Sequence, residues 1–131
     1  MNQARDLIQS LYDAFARGDV EEVLGSMAPD IQWLEAEGNP LAKGNPYDSP
    51  ARVGAEVFGY LVSLFDDFAA VPESYVAEND QVVVFGRYLG VHQHSGDRLS
   101  AAFVHHWTVQ HGQVVRFQQY TDTAQWVRLL G

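Results

Sequence analysis

The chain has 131 residues, of which 47% are hydrophobic and 12% aromatic, and its formal net charge at pH 7 is −9. This length and composition predict one globular domain over residues 1–131. The negative charge argues against nucleic acid and anionic membrane surfaces as partners, because both attract clustered Lys and Arg. The chain has no cysteine, which excludes disulfides and a thiolate nucleophile. With no signal-like N-terminus and no apolar run long enough to cross a bilayer, we expect a soluble cytoplasmic protein.

The N-terminal part of the chain predicts two helices and one short strand. Apolar residues recur at helical spacing over residues 4–15, and Gly18 can end this first helix. Asp19 is expected to cap a second helix, which Pro29 closes. Residues 31–35 alternate between apolar and polar side chains and therefore predict a short strand.

A segment rich in glycine and proline covers residues 37–50 and predicts a long loop. This loop is either a lid over a pocket or a plain connection. Ser49 and Pro50 suit the cap and the first position of a third helix. The buried face of that helix is expected to contain Val53, Val57, Phe58, Leu61 and Phe65.

The second half of the chain predicts an antiparallel meander. Four segments have the alternation and the β-branched content of strands, namely residues 68–77, 81–93, 99–110 and 113–121. Asp122 then caps a last helical turn, with Gln125 at its third helical position. Helices followed by a meander predict an α+β fold, in which the helices pack on one face of a curved antiparallel sheet.

The hairpin between the last two strands places a histidine on an apolar face. We expect a type I turn with a bulge at Gly112, which pairs Val109 near Gln113, whereas a plain two-residue turn would shift this pairing by one residue. In the bulged register the inner face holds Phe103, His105, Trp107, Val109, Val115, Phe117 and Gln119. The outer face holds Ala102, Val104, His106, Thr108, Val114, Arg116, Gln118 and Tyr120. A titratable ring and an amide on an apolar face indicate a binding pocket.

Three parts of the chain carry a family resemblance: residues 12–19 with the strand at 30–35, the loop at 38–44, and the run from 105 to 122. In this order they resemble the nuclear-transport-factor-2-like (NTF2-like) superfamily, in particular its branch of ketosteroid isomerases and SnoaL-like polyketide cyclases. The resemblance implies a cone-shaped fold, whose sheet wraps around a deep apolar pocket that the helices close. It also implies a homodimer that pairs through the outer face of the sheet, where Val104, Thr108, Val114 and Tyr120 mix apolar and polar character.

The same resemblance implies roles for individual residues. In the isomerases of this branch a carboxylate shuttles a proton, and a tyrosine with a protonated aspartic acid binds the oxyanion. The carboxylate corresponds to Glu35 and the oxyanion-binding acid to His105. The tyrosine corresponds to a position near Leu11, with Tyr12 one residue away and about 100° round the helix. These departures argue against steroid isomerisation, and Gln119 stands where the cyclases of this branch place an acid.

Three residues are candidates for catalysis, and each has a structural alternative. Glu35 near apolar walls would have a raised pKa and accept a substrate proton, unless it is a solvated side chain at a strand end. His105, whose ring we expect to be neutral because burial lowers a histidine pKa, either donates to an oxyanion or is a core histidine satisfied by a carbonyl or by Gln119. Tyr88, flanked by two glycines, either replaces the missing helix tyrosine as a hydroxyl donor or packs in the sheet.

The pocket around these candidates is expected to be aromatic, lined by Tyr12, Phe15, Trp33, Phe58, Phe103, Trp107, Phe117 and Gln119. We predict no metal site, because His92 and His94 run into a turn while His105 and His106 point to opposite faces. No cofactor is predicted. The sequence thus favours a cofactor-independent isomerase or cyclase that uses a carboxylate to move a proton on a small apolar carbonyl compound. The alternative is a non-catalytic module of the same fold that binds a small hydrophobic ligand or another protein.

Overall fold

Five strands form one curved, open sheet in the order β1-β5-β4-β3-β2. They are β1 (Met27–Leu34), β2 (Phe65–Glu78), β3 (Gln81–His92), β4 (Arg98–Gln110) and β5 (Gln113–Thr121). The computed structural model describes residues 2–131. Strands β2 to β5 form the predicted antiparallel meander, whereas β1 pairs with β5 in parallel at the edge. The predicted α+β fold is confirmed, and the sheet is mixed rather than wholly antiparallel.

The helices are α1 (Gln3–Ala16), α2 (Val20–Gly25), α3 (Pro50–Arg52), α4 (Gly59–Leu64) and α5 (Thr123–Leu130). Two predicted caps are confirmed, since Asp19 accepts from the Glu22 amide and Ser49 from the Arg52 amide, both at 3.2 Å. Asp122 precedes α5, but its carboxylate accepts from the Gln125 side chain rather than from a backbone amide. Over residues 2–131, no helix combines the length and the apolar character that crossing a membrane requires.

The third helical segment is not a uniform α-helix. Between α3 and α4 the backbone is π-helical over Val53–Phe58, with more residues in each turn than an α-helix has. The apolar residues predicted for its inner face are buried here: Val53, Val57, Phe58 and Leu61. Phe65, which the pattern also assigns to this helix, is the first residue of β2.

Strand β1 begins earlier than the sequence pattern predicts. Helix α2 ends at Gly25, so Pro29 lies inside β1 and does not close the helix. Between Met27 and Gln32 the pairing of β1 with β5 shifts register. This irregularity accommodates Pro29, which has no backbone N–H to donate to a neighbouring strand.

The turn between β4 and β5 is a plain two-residue turn, so the predicted bulge at Gly112 is wrong. His111 and Gly112 have φ angles of 53° and 74°, and Gln110 pairs directly with Gln113. Two consecutive positive φ angles are typical of a type I′ turn, whose twist matches that of a hairpin.

A bulge further along β5 restores most of the predicted faces. Thr108 pairs with Arg116 and Val109 with Val114, which leaves Val115 as the extra residue. Val114 is therefore buried and Val115 is more exposed, the reverse of the prediction. Six residues predicted for the inner face are buried as expected: Phe103, His105, Trp107, Val109, Phe117 and Gln119.

Gly86 allows β2 and β4 to crowd against β3. A Cβ atom at this position would lie 2.3 Å from the carbonyl oxygen of Val71 on β2 and 2.5 Å from the ring of Phe103 on β4. The register of β2 shifts beside this point, between Pro72 and Ser74. Glycine is therefore required where the strands bend most closely together.

Candidate active site

A cavity of about 60 Å³ lies between the helices and the sheet, and its wall is almost entirely apolar. The predicted site residues that line it are Tyr12, Phe15, Trp33, Phe58, Tyr88, His105, Trp107 and Phe117. Four other residues complete the wall, namely Leu11, Val23, Phe68 and Ala70. Leu11 lies in the segment with helical spacing and Val23 in the helix that Asp19 caps, but nothing in their spacing distinguishes a cavity wall from solid core. Glu35, Phe103 and Gln119 are buried without lining the cavity.

His105 is held between two tyrosine hydroxyls. The Tyr12 hydroxyl lies 2.5 Å from Nδ1 and the Tyr88 hydroxyl lies 2.5 Å from Nε2. The ring of Phe103 stacks on the imidazole, with centroids 3.8 Å apart and planes at 8°. Burial lowers the pKa of His105 well below its usual value, so the ring is neutral. The predicted neutral ring is consistent with this site, and its partners are tyrosines rather than a carbonyl or Gln119.

Both ends of this tyrosine–histidine chain (Tyr12, His105 and Tyr88) meet N–H donors. Trp107 Nε1 donates to the Tyr12 hydroxyl at 3.0 Å, and Gln119 Nε2 donates to the Tyr88 hydroxyl at 2.8 Å. Every member of the chain and both donors are buried. Burial raises the pKa of both tyrosines well above the usual value, so they are protonated.

The orientation of the Gln119 amide follows from its own partners. Its Oε1 accepts from the backbone N–H of Ala36 at 3.1 Å and from Nδ2 of Asn39 at 3.0 Å. Asn39 is oriented in turn, because its Oδ1 accepts from the Leu41 amide. Gln119 must therefore present nitrogen to Tyr88. The sequence pattern misses Asn39, which lies in a loop and whose role depends on contacts distant in sequence.

The members of the chain come from different elements. Tyr12 lies on α1, Tyr88 on β3, and His105 on β4. His105 pairs with Val84 across the sheet, so Tyr88 lies four residues further along β3 on the same face. The two tyrosines reach one imidazole only because the sheet curves under α1, and alternation within one strand does not reveal this meeting.

Glu35 follows β1 directly and is only 3% exposed. Its Oε2 accepts from Trp33 Nε1 at 3.1 Å. The Asn45 side chain makes two hydrogen bonds to the backbone of Glu35: it accepts from the Glu35 N–H at 2.9 Å and donates to the Glu35 C=O at 2.8 Å. Burial raises the pKa of Glu35 to about 7, against the opposing effect of the Trp33 hydrogen bond. The alternative of a solvated glutamate at a strand end is wrong.

Glu35 also acts electrostatically on the tyrosine–histidine chain. After burial, the charge of Glu35 is the next cause that raises the pKa of Tyr88. The two groups are also linked through one amide, because the N–H of Ala36, next to Glu35, donates to Gln119 Oε1 while Gln119 Nε2 donates to the Tyr88 hydroxyl. Such a pair can accept a proton at one group while the other stabilises the negative charge that forms.

The loop over residues 37–50 packs onto β1 instead of standing free. It contains a short 3₁₀ helix (Pro40–Gly44), and Tyr47 exchanges two backbone hydrogen bonds with Trp33, at 3.0 and 2.9 Å. The Tyr47 hydroxyl donates to the carbonyl of Leu41 at 2.6 Å. These contacts fix the loop beside Glu35.

Within the described part of the chain, no three histidine, aspartate or glutamate side chains converge as metal ligands would. His92 is hydrogen-bonded to Ser95 at 2.9 Å near the turn after β3, away from the cavity wall. His106 is hydrogen-bonded to Gln81 at the outer face.

Comparisons with known proteins place this geometry in a family. The SnoaL-like domain model matches residues 8–117, while no curated protein matches the chain in sequence. An NTF2-like protein from Burkholderia thailandensis is 27% identical with a TM-score of 0.92, covering 100% of this chain and 99% of that one. TerC, co-crystallised with polyporic acid, is 25% identical with a TM-score of 0.84 and 98% coverage of both chains. IdmH, a candidate polyketide cyclase from Streptomyces antibioticus, is 24% identical with a TM-score of 0.80 and 99% coverage of both. The chain belongs to the SnoaL-like domain family and has the NTF2-like fold.

Proposed function

We propose that this protein is a cofactor-independent isomerase or cyclase that transfers a proton next to the carbonyl of a small apolar compound. The observation that carries the proposal is the buried carboxyl of Glu35, with a pKa of about 7, whose neighbour Ala36 is hydrogen-bonded to the same Gln119 amide that donates to Tyr88 at the end of the tyrosine–histidine chain. A base with a pKa near neutrality combines a large ionised fraction with useful basicity.

In the proposed reaction Glu35 takes a proton from the carbon next to the carbonyl. The C–H electron pair becomes part of a C=C bond, and the carbonyl electron pair moves to oxygen to give an enolate. A hydroxyl of the tyrosine–histidine chain donates a hydrogen bond to that oxygen, with His105 holding the hydroxyl in place. An isomerase then returns the proton from Glu35 to another carbon. A cyclase forms a carbon–carbon bond to a second carbonyl, and the resulting alkoxide recovers the proton.

Two comparisons support an oxygenated apolar substrate. IdmH is a candidate polyketide cyclase, and TerC was co-crystallised with polyporic acid. The aromatic cavity wall is suited to such compounds because it excludes water and strengthens the electrostatic interactions inside.

The test is proton exchange at a carbon next to a carbonyl. Wild-type protein is expected to speed the incorporation of deuterium from D₂O into cyclohexanone or 2-cyclohexenone, followed by NMR. Glu35→Gln is expected to lower that rate about 100-fold or more, since it removes the base. Glu37→Gln is the matched control, because Glu37 is two residues away and exposed. Equal exchange in both variants would contradict the role of Glu35.

The second candidate function is ligand binding without chemistry. It is favoured by one observation: Glu35 does not line the cavity, whose volume is only about 60 Å³. A thermal-shift screen with 4-nitrophenolate, polyporic acid and neutral aromatic compounds separates the two. Stabilisation by the phenolate in wild type and at least as much in Glu35→Gln supports an enolate site. Stabilisation by neutral compounds alone, unaffected at residue 35, supports a binding module.

The proposal includes a homodimer through the outer face of the sheet. Phe85 pairs with Val104 and Val104 with Tyr120, so the three form one apolar row, with Phe85 41% and Tyr120 56% exposed. Val114, also expected in this interface, is fully buried and cannot take part. Analytical ultracentrifugation should give twice the 14.6 kDa chain mass.

Phe85→Glu is expected to give single chains, because it places a charge in the centre of the row. Val62→Glu, at a 60% exposed position on α4, is the control and should remain dimeric. A wild-type protein that sediments as a single chain would rule out the homodimer.

A further inference from the structure

The tyrosine–histidine chain holds one more proton than its internal hydrogen bonds can use. A neutral imidazole carries one N–H and one unprotonated nitrogen, and each phenol carries one O–H. The chain therefore has three protons. It has only two internal hydrogen bonds, between Tyr12 and Nδ1 and between Tyr88 and Nε2, each with 2.5 Å between the heavy atoms. Each of these hydrogen bonds uses one proton, so the proton of one O–H remains.

The neighbours of the chain cannot accept this remaining proton. Trp107 Nε1 is a donor only. Gln119 presents its amide nitrogen to Tyr88, because its oxygen is occupied by Ala36 and Asn39. Over residues 2–131 neither tyrosine hydroxyl has another hydrogen-bond partner. Both tyrosines line the cavity, so the remaining O–H is available to a molecule bound there.

We infer that His105 is a positioning residue whose tautomer selects which of two tyrosines, Tyr12 or Tyr88, donates to an acceptor oxygen in the cavity. With the proton on Nε2, His105 donates to Tyr88, Tyr12 donates to Nδ1, and the Tyr88 O–H is free. With the proton on Nδ1, every bond in the chain reverses and the Tyr12 O–H is free. The ring does not change its charge in either case.

The ligand class follows from this donor. It is an apolar compound with an acceptor oxygen, such as a ketone, an enolate or a phenolate. This identification rests on the proposed function, whereas the proton count does not. A donor that can move from Tyr88 to Tyr12 suits a cyclisation, in which negative charge passes from the enolate oxygen to a second carbonyl oxygen.

Two variants should fix the tautomer in opposite directions. An unpaired buried N–H costs more than an unpaired lone pair, so the proton stays on the nitrogen that still has a partner. Tyr12→Phe should leave the proton on Nε2 and Tyr88→Phe should leave it on Nδ1. Long-range ¹H–¹⁵N correlation spectra of ¹⁵N-histidine-labelled protein distinguish these forms. Tyr75→Phe is the control, since Tyr75 packs edge-on against Tyr12 but contacts no member of the chain through its hydroxyl.

Binding of 4-nitrophenolate, followed by absorbance, tests the second half of the inference. Each single variant keeps one free hydroxyl and should bind within about 3-fold of wild type. Tyr12→Phe/Tyr88→Phe together should weaken binding about 10- to 100-fold, the usual effect of losing a hydrogen bond to a charged group. A fixed donor predicts instead that one single variant binds as weakly as the double variant, which would overturn the inference.

Wild-type protein alone provides a test that needs no folded variant. Its His105 spectrum should show a neutral ring with a single N–H, both free and with 4-nitrophenolate bound. A doubly protonated ring would donate to both tyrosines, leave two free hydroxyls and overturn the inference. None of these spectra depends on turnover, so loss of activity in Glu35→Gln and failure of the tautomer inference are separate results.

Discussion

The interior of this protein contains two polar regions that are built in opposite ways. In the tyrosine–histidine chain, side chains from α1, β3 and β4 hold one another, and burial keeps all three neutral. At Glu35 a single N–H, from Trp33, contacts the carboxyl, and its pKa rises to about 7. The first region stays uncharged because burial disfavours its ionised forms, whereas the raised pKa of Glu35 lies within the physiological pH range. The comparison shows how one apolar interior can contain a neutral hydrogen-bonded chain in the cavity wall and, behind that wall, a carboxyl group whose pKa is raised by burial.

The largest effect is expected when the tyrosine–histidine chain is interrupted. His105→Leu leaves the hydroxyls of Tyr12 and Tyr88 buried without their shared partner. Unpaired buried groups cost about 1–3 kcal/mol each, so the free energy of unfolding should fall by about 4 kcal/mol. Urea unfolding measures this. His106→Leu, the neighbouring histidine on the outer face, should change it by less than about 1 kcal/mol, and equal losses would show that the chain contributes no stability.

Glu35→Gln sharpens the comparison through pH. Because the folded-state pKa of Glu35 is raised from 4.5 to about 7, its contribution to stability is complete below the lower value and is lost as the pH rises through the higher one. Relative to wild type, Glu35→Gln should therefore gain up to about 3 kcal/mol between about pH 5 and pH 8. Urea unfolding at both pH values measures the gain. A pH-independent difference would mean that Glu35 has an ordinary pKa.

His105 contributes to the pH dependence with the opposite sign. Its folded-state pKa lies well below the usual value of 6.5, so its contribution is present at higher pH and is lost as the pH falls below that value. In wild type the free energy of unfolding falls with pH because of Glu35 and rises with pH because of His105, so the two effects oppose each other between the usual pKa values of 4.5 and 6.5. Glu35→Gln should remove the first effect and leave the second, in which the free energy of unfolding rises by about 1.4 kcal/mol per pH unit.

Gly86→Ala tests how far the structure of the tyrosine–histidine chain depends on the packing of the strands. The added methyl group would meet the Val71 carbonyl and the Phe103 ring, which stacks on His105. Because the backbone must move, we expect a loss of about 2 kcal/mol in the free energy of unfolding. Gly25→Ala, at a position with no atom within 4 Å of the added Cβ, is the control. An unchanged unfolding midpoint for Gly86→Ala would contradict the tight packing.

Asn39→Ala should have the smallest effect. It removes one of the two donors that orient the Gln119 amide, while the Ala36 N–H remains. The expected loss is about 1.5 kcal/mol, since two hydrogen bonds of Asn39 are removed, the one to Gln119 Oε1 and the one from the Leu41 amide. Thermal unfolding measures it. A loss as large as that of His105→Leu would mean that Asn39 supports the tyrosine–histidine chain directly, rather than only orienting the Gln119 amide.

Local patterns were sufficient for much of the fold and for part of the site. Alternation along β4 predicts that His105 faces inward between aromatic residues, and both the burial and the stacking on Phe103 agree. Cap residues such as Ser49 predict where helices begin, because the signal lies within four residues of the event. These features depend only on contacts close in sequence.

The features that sequence patterns miss depend on distant contacts. The bulge at Val115 and the parallel pairing of β1 with β5 arise from how strands meet, and no residue near Pro29 indicates that it lies in a strand. The meeting of Tyr12 and Tyr88 at one imidazole likewise depends on sheet curvature. Burial of Glu35 follows from the loop that Asn45 and Tyr47 fasten over β1.

The π-helical stretch at Val53–Phe58 has a consequence for how this cavity can be altered during evolution or by design. A π-helical turn contains more residues than an α-helical turn, so deleting one residue here would return the stretch to α-helical geometry and re-orient the side chains within it, while the helix on either side keeps its direction. Phe58 forms part of the cavity wall, and the deletion would alter no residue of the five strands. The helical wall is therefore the place where a one-residue insertion or deletion can reshape the cavity while both polar regions stay intact.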